Sequence, residues 1–194
     1  PPEQVVLDAA NYAKQQNVDV IVGFGGGSSL DVAKVIALLA HPNQTQNLQE
    51  MYGVNQVKTA RLPLILIPTT AGTGSEVTPI SIVTTGETTK MGIVSPVLYA
   101  DTAILDATFT QNLPTHITTA TGIDAMVHAI EAYTSKHKKN IYTDILAKHA
   151  LKLLNHNLPK VLKNGNDLEA RQNMLFGSML AGQAFANSPV AAVH

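Results

Sequence analysis

The sequence predicts an α/β domain with a largely parallel sheet, followed by an all-helical domain. Three observations carry that prediction. Short apolar runs at 18–24 and 62–67, the first rich in β-branched residues, are too short for independent helices and alternate with segments of helical periodicity. Each run passes directly into a loop of glycines or small hydroxyl residues, as the carboxyl ends of strands do in open α/β sheets. Beyond Pro114 the apolar spacing is helical throughout.

Taken in order, residues 3–16 read as a helix and 18–24 as a buried strand. Gly25-Gly26-Gly27-Ser28-Ser29 then turns the chain into an amphipathic helix ending at Ala40. The polar stretch 41–60 reads as a surface loop with one short helical turn. The second strand, 62–67, leads into the loop 68–78, and short strand candidates follow at 80–84, 90–95 and 102–105. The organisation changes near 107–113, which divides the chain into domains at 1–108 and 109–194. Pro114 stands where a first-turn proline would. Residues 142–157 place Ile145, Leu146, His149, Leu153 and Leu154 on one helix face, with Pro159 as the expected interruption. A further helix is expected over 168–186, with 164–167 as its loop and N-cap.

Strand, glycine turn and helix together make an anion site. Glycines let backbone amides approach a phosphate, and the unpaired amides and dipole at a helix start favour negative charge. Ser28 or Ser29 can cap that helix or donate to a phosphate oxygen. Ser28 stands where the last glycine of the GxGxxG pattern would be, and a plain tight turn fits the same residues. In the loop 68–78, four threonines and a serine crowd against a buried strand, where hydroxyls can bond ribose, pyrophosphate or carboxamide. A polar surface loop explains Gly72 and Gly74 well, and the crowded hydroxyls less well. Asp124 and His128 lie four residues apart in a mostly apolar helical stretch, hence on one face, at the reach two side chains need to hold a divalent ion. An Asp–His hydrogen bond on a half-solvated helix fits that spacing too.

Composition narrows the classes. With 194 residues and 45% hydrophobic content the chain can bury one or two cores. A formal net charge of −1 offers no electrostatic case for nucleic acid or an anionic membrane. The absence of cysteine excludes thiolate sites and steers any metal towards oxygen and nitrogen ligands. No apolar run approaches a bilayer-spanning length, and a cytoplasmic location is expected.

Three ordered segments resemble the iron-containing (group III) alcohol dehydrogenase family: Gly25 to Ser28 with Asp31 and Lys34, then 68–78, then 122–133. The resemblance implies a dehydroquinate synthase-like fold, in which a Rossmann-like nucleotide-binding domain precedes a helical metal-binding domain. It further implies hydride transfer between a small alcohol or aldehyde and NAD or NADP. By the same resemblance Gly26, Gly27 and Ser28 hold the cofactor pyrophosphate, Thr69, Thr70 and Thr73 contact the nucleotide, and Lys90 lies near the nicotinamide ribose. Asp124, His128 and His194 match three of four ligands of the catalytic metal, Fe²⁺ or alternatively Zn²⁺. Family members run to nearly twice this length, so the chain is expected to be an internal portion of a longer enzyme, with a fourth ligand outside it. That enzyme is expected to form a homodimer or a higher homo-oligomer. Dehydroquinate synthase-like and glycerol dehydrogenase-like enzymes of the same superfamily, or a non-catalytic nucleotide-binding module, are the alternatives.

The remaining histidines read as structural or solvated. His137 sits in a basic run after a helix, His149 and His156 on a leucine-rich helix, and His116 near a helix start. Glu131 reads as a carboxylate on the helix surface.

Overall fold

A computed structural model describes residues 1–188, which divide into two units, one formed by Pro1–Ile67 and Pro79–Ile104, the other by Pro68–Thr78 with the chain from Leu105 onward. His194, expected as a metal ligand, lies outside the described residues.

The first unit opens with α1 (Glu3–Gln15), β1 (Ile21–Gly25) and α2 (Gly27–Leu39). It continues with β2 (Gly53–Val54), β3 (Leu64–Pro68), β4 (Ile80–Thr85), β5 (Thr89–Val94) and β6 (Thr102–Ala103). The strands form two three-stranded sheets, ordered β1-β3-β6 and β2-β5-β4. β3 runs parallel to β6, with Ile65 opposite Thr102, whereas β4 and β5 form an antiparallel hairpin that turns at Gly86, φ +60°. The expected largely parallel sheet is thus joined by an antiparallel pair, because three residues suffice to return the chain from β4 to β5, too few for a parallel crossover.

Helix α2 is buried on most of its circumference and sits between two cores. Leu30, Ala33 and Ala37 pack with Leu64 and Leu66 of β3, while Val35, Leu38 and Leu39 pack with α1 and with Val83 and Ile93 of the hairpin. Gly23 makes the first contact possible: a Cβ there would stand 2.6 Å from Leu66 Cδ2 and 2.7 Å from Ala33 Cβ. The segment 41–60 departs from the expected surface loop. Its 3-10 turn, Leu48–Met51, is capped reciprocally by Asn47 and Glu50, and it drives Leu48 and Met51 into the core at 1% and 0% exposure. These two buried residues anchor the stretch, with Tyr52 and Val57 packed against the same core, and β2 then pairs with β5.

The second unit is a three-helix assembly of α3 (Thr115–Thr134), α4 (Ile141–Lys163) and α5 (Leu168–Asn187). Alanines at 125, 129, 132, 147, 150, 181 and 184 let the helices approach closely around Leu154, Leu158, Met174 and Leu175. Asp167 starts α5 as expected, accepting from the Ala170 amide at 2.9 Å. Pro159 does not interrupt α4, which runs on to Lys163. Burial of Leu158 and Val161 on either side of the proline offsets the lost backbone hydrogen bond. Residues 68–78 follow β3 directly in sequence yet group with this helical unit, because Ala71 enters its core.

Candidate functional site

The glycine turn forms where the sequence places it, with a different cap. Helix α2 begins at Gly27 with Gly26 as its N-cap, in extended backbone and without a side-chain cap, so neither Ser28 nor Ser29 caps it. Gly25, at φ +150°, takes the unusual conformation, and a Cβ there would stand 2.6 Å from Ser29 Oγ. Of the first-turn amides, that of Ser29 donates to the Gly26 carbonyl at 2.9 Å, while those of Gly27 and Ser28 are carried on backbone that no Cβ obstructs at Gly26 or Gly27, and Ser28 is exposed beside them. Behind the turn, α2 is tied to β4: Asp31 accepts from the Ile82 amide at 3.0 Å, and Lys34 donates to the Ile80 carbonyl at 2.7 Å. Lys90, on β5 opposite Thr84 in the same unit, is exposed.

The hydroxyl loop lies in the helical unit. Thr69, Thr70 and Thr73 are half-buried, and the Thr73 hydroxyl accepts from the Ser75 amide at 3.2 Å, closing a turn that Gly74 continues at φ +60°. Two close approaches seat the loop. A Cβ at Gly72 would lie 2.6 Å from Thr121 Cβ on α3, and one at Gly74 would lie 2.7 Å from Gly182 Cα on α5.

On α3, Asp124 Oδ1 and His128 Nε2 face one another at 3.9 Å. That is longer than a direct hydrogen bond and in keeping with two donors converging on one ion. The His128 side chain is 8% exposed and that of Asp124 37%, so the imidazole is held in the helical assembly while the carboxylate opens outward. Phe185 of α5 stacks on the imidazole, ring centroids 4.7 Å apart, which fixes the ring plane. One carboxylate oxygen and one imidazole nitrogen, with no thiolate in the chain, suit Fe²⁺ or Zn²⁺. Among the described residues no group of three or more His, Cys, Asp or Glu side chains is placed to hold a metal.

Of the expected site residues, then, Gly26, Gly27 and Ser28 meet at one helix start, and Thr69, Thr70 and Thr73 share a unit with Asp124 and His128. Phe185, Gly182 and Thr121 escaped the sequence reading. They meet the site only through helix packing, for which the linear order of residues carries no signal. Glu131 is corrected: it is 3% exposed, buried because α3 packs against both α4 and α5. His149 and His156 are exposed on α4, as read, and with Met126 and Ile130 of α3 they line a groove of about 900 Å³. No described helix is long and apolar enough to cross a membrane.

Comparison with known proteins reaches both units. Long-chain-alcohol dehydrogenase 1 of Geobacillus thermodenitrificans is 44% identical over 195 aligned residues, covering all of this chain and 49% of its own length. The NAD-dependent methanol dehydrogenase of Bacillus methanolicus is 40% identical, again over all of this chain and 50% of its own. The chain thus spans about half the length of these curated relatives. Among solved structures, sulfoacetaldehyde reductase from Bifidobacterium kashiwanohense in complex with NAD⁺ superposes with a TM-score of 0.91 at 34% identity, over 100% of this chain and 51% of that one. The family description "Iron-containing alcohol dehydrogenase" matches residues 1–107, and "Fe-containing alcohol dehydrogenase family, C-terminal" matches 118–194. With the glycine turn inside the first match and the Asp124–His128 pair inside the second, the chain belongs to the iron-containing alcohol dehydrogenase family.

Proposed function

We propose that the whole protein is a metal-dependent oxidoreductase that transfers hydride between a small alcohol or aldehyde and NAD(P), on the dehydroquinate synthase-like two-domain arrangement of its family. The observation that carries the reading is the pairing of Asp124 with His128 across one helical turn, 3.9 Å apart, in a chain that also builds an uncapped glycine turn at the start of α2. The similar proteins bear names that span long-chain alcohols, methanol and sulfoacetaldehyde, and an alcohol or aldehyde carbon is what those names share.

In this reading Gly26, Gly27 and Ser28 bind the cofactor pyrophosphate through backbone amides and one hydroxyl, and Lys90 adds positive charge near the nicotinamide ribose. Thr69, Thr70 and Thr73 offer hydroxyls to the nucleotide. Asp124, His128 and His194 hold Fe²⁺, or Zn²⁺ in its place. When bound, the metal supplies Lewis acidity that favours loss of the alcohol proton, and the nicotinamide supplies the hydride acceptor. The stacked Phe185 ring keeps the His128 nitrogen directed at the Asp124 carboxylate and excludes water from that side of the imidazole. The location is taken to be cytoplasmic and the assembly a homodimer or larger.

The test is alcohol-dependent NADH formation by the purified whole protein, alongside elemental analysis. Asp124→Ala and His128→Ala should each lose most of the metal and most of the activity together, with NAD affinity kept within a few-fold. Full metal occupancy in both variants would place the ligands elsewhere.

A further inference from the structure

Two glycine contacts join the hydroxyl loop to the two helices that frame the imidazole, and both contacts are backbone against backbone or against a fixed Cβ. Thr121, Asp124 and His128 follow one another at i, i+3 and i+7, so they form a single stripe along α3. Gly72 lies on the first member of that stripe: a Cβ there would meet Thr121 Cβ at 2.6 Å, the Thr121 carbonyl oxygen at 2.9 Å and its Cα at 3.0 Å. The Thr121 hydroxyl donates back to the Ile117 carbonyl at 2.9 Å, which holds that side chain in one rotamer under the loop. On α5, Ser178, Gly182 and Phe185 form the matching stripe. A Cβ at Gly182 would meet Gly74 Cα and its carbonyl oxygen, each at 2.9 Å, and one at Gly74 would meet Gly182 Cα at 2.7 Å and the Ser178 carbonyl oxygen at 3.2 Å. Phe185, less than one turn beyond Gly182, is the ring stacked on His128.

We infer that Gly72, Gly74 and Gly182 are positioning residues that couple nucleotide binding at the hydroxyl loop to metal binding at Asp124 and His128. The inference rests on the functional reading above. Backbone cannot rotate out of the way as a side chain can, so the loop and the two stripes have one mutual register. A metal that orders Asp124 and His128 orders α3 and the ring packed on it, and thereby the seat on which Thr69, Thr70 and Thr73 are carried. A nucleotide that finds this seat ordered loses less conformational freedom on binding, and the linkage is reciprocal.

The experiment is titration of the whole protein with NAD, with and without Fe²⁺ or Zn²⁺, and with the metal, with and without NAD, in wild type, Gly182→Ala and Gly177→Ala. Gly177 is the control: it also lies on α5, but the nearest atoms a Cβ there would meet are side-chain atoms of Leu154 and Leu153, at 3.0 to 3.3 Å. Metal is expected to raise NAD affinity in wild type by about fivefold or more, within the usual range of coupling between sites. Gly182→Ala is expected to bring that ratio near one while binding metal alone within about twofold of wild type, and Gly177→Ala to keep the ratio. A ratio near one in wild type, an unchanged ratio in Gly182→Ala, or equal loss in Gly177→Ala overturns the inference. Hydrogen exchange on wild type supplies a second measurement should Gly182→Ala fail to fold. Metal alone should slow exchange of the amides at 69–75, none of which belongs to a ligand residue, and unaltered exchange there is contrary to the coupling. Absence of any NAD or metal binding by wild type would instead remove the oxidoreductase reading, and this inference with it.

Discussion

Gly27 and Phe185 represent two kinds of residue that the sequence marks with unequal clarity. Gly27 opens α2 beside an uncapped Gly26, where a side chain would compete with an anion for the first-turn amides. Gly27→Val places a branched side chain there, and NAD affinity should fall by about tenfold or more. Unchanged affinity, titrated on a folded variant, would remove the pyrophosphate assignment from this turn. The turn is legible because a run of three glycines between a strand and a helix marks the place where the chain must reverse. That Asp124 and His128 share one face of α3 was legible for a related reason, since a spacing of four is a geometric statement once the segment is helical. Phe185 was not, because nothing in its own segment says that α5 returns alongside α3. The burial of Glu131 was missed for the same reason: which side of a helix faces inward depends on how many partners that helix has.

At the scale of elements, α4 and the stretch 41–60 show where local rules yield to packing. Proline costs a helix interior about 3 kcal/mol or more, yet α4 continues because leucine and valine on both sides of Pro159 are buried. The junction of β3 and β6 adds one charged pair to its backbone hydrogen bonds. Asp101 accepts from the Arg61 guanidinium at 2.7 Å and from the Leu64 amide at 2.7 Å, while Arg61 also donates to the carbonyls of Val97, Leu62 and Tyr99. The Arg61 hydrogen bond, followed by that of the Leu64 amide, lowers the Asp101 carboxyl from its ordinary 3.8 to about 2. A carboxyl lowered in the folded state contributes stability that is complete above 3.8 and is lost as pH falls through about 2. With the Asp101 side chain 56% exposed, screening holds that contribution below about 1 kcal/mol. Asp101→Asn should therefore be less stable than wild type at pH 6, with the gap closing towards pH 2.5. Urea unfolding at both values measures it, and a gap that stays constant between them would show the carboxylate charge to be irrelevant.

Over the whole molecule, core packing stays within each unit, on both sides of α2 in the first and among the three helices in the second. Leu66 packs with α2 and α1 residues in the first unit, Leu154 with α3 and α5 residues in the second, and both are fully buried. The alternation of strands and helices before residue 107, and the helical run after it, made this division readable from the chain. The placement of 68–78 was unreadable, because sequence adjacency to β3 and burial of Ala71 among the helices point in opposite directions. Burial decides, since a polar loop gains little from its sequence neighbours and more from an apolar anchor. Separate cores predict separable stabilities. Leu→Ala at a fully buried site removes about 3 kcal/mol, which corresponds to a roughly hundredfold rise in amide exchange where exchange proceeds through opening of that core. Leu154→Ala should accelerate exchange in α3, α4 and α5 and leave β1, α2 and β3 within a few-fold of wild type, and Leu66→Ala should do the reverse. Loop 68–78 is the informative segment, for it should follow Leu154→Ala, the variant remote from it in sequence, and not Leu66→Ala, only two residues before the loop begins. Exchange of that loop tracking Leu66→Ala would assign it to the sheet, and parallel acceleration of every element by either variant would mean that the chain opens as one cooperative unit, not two.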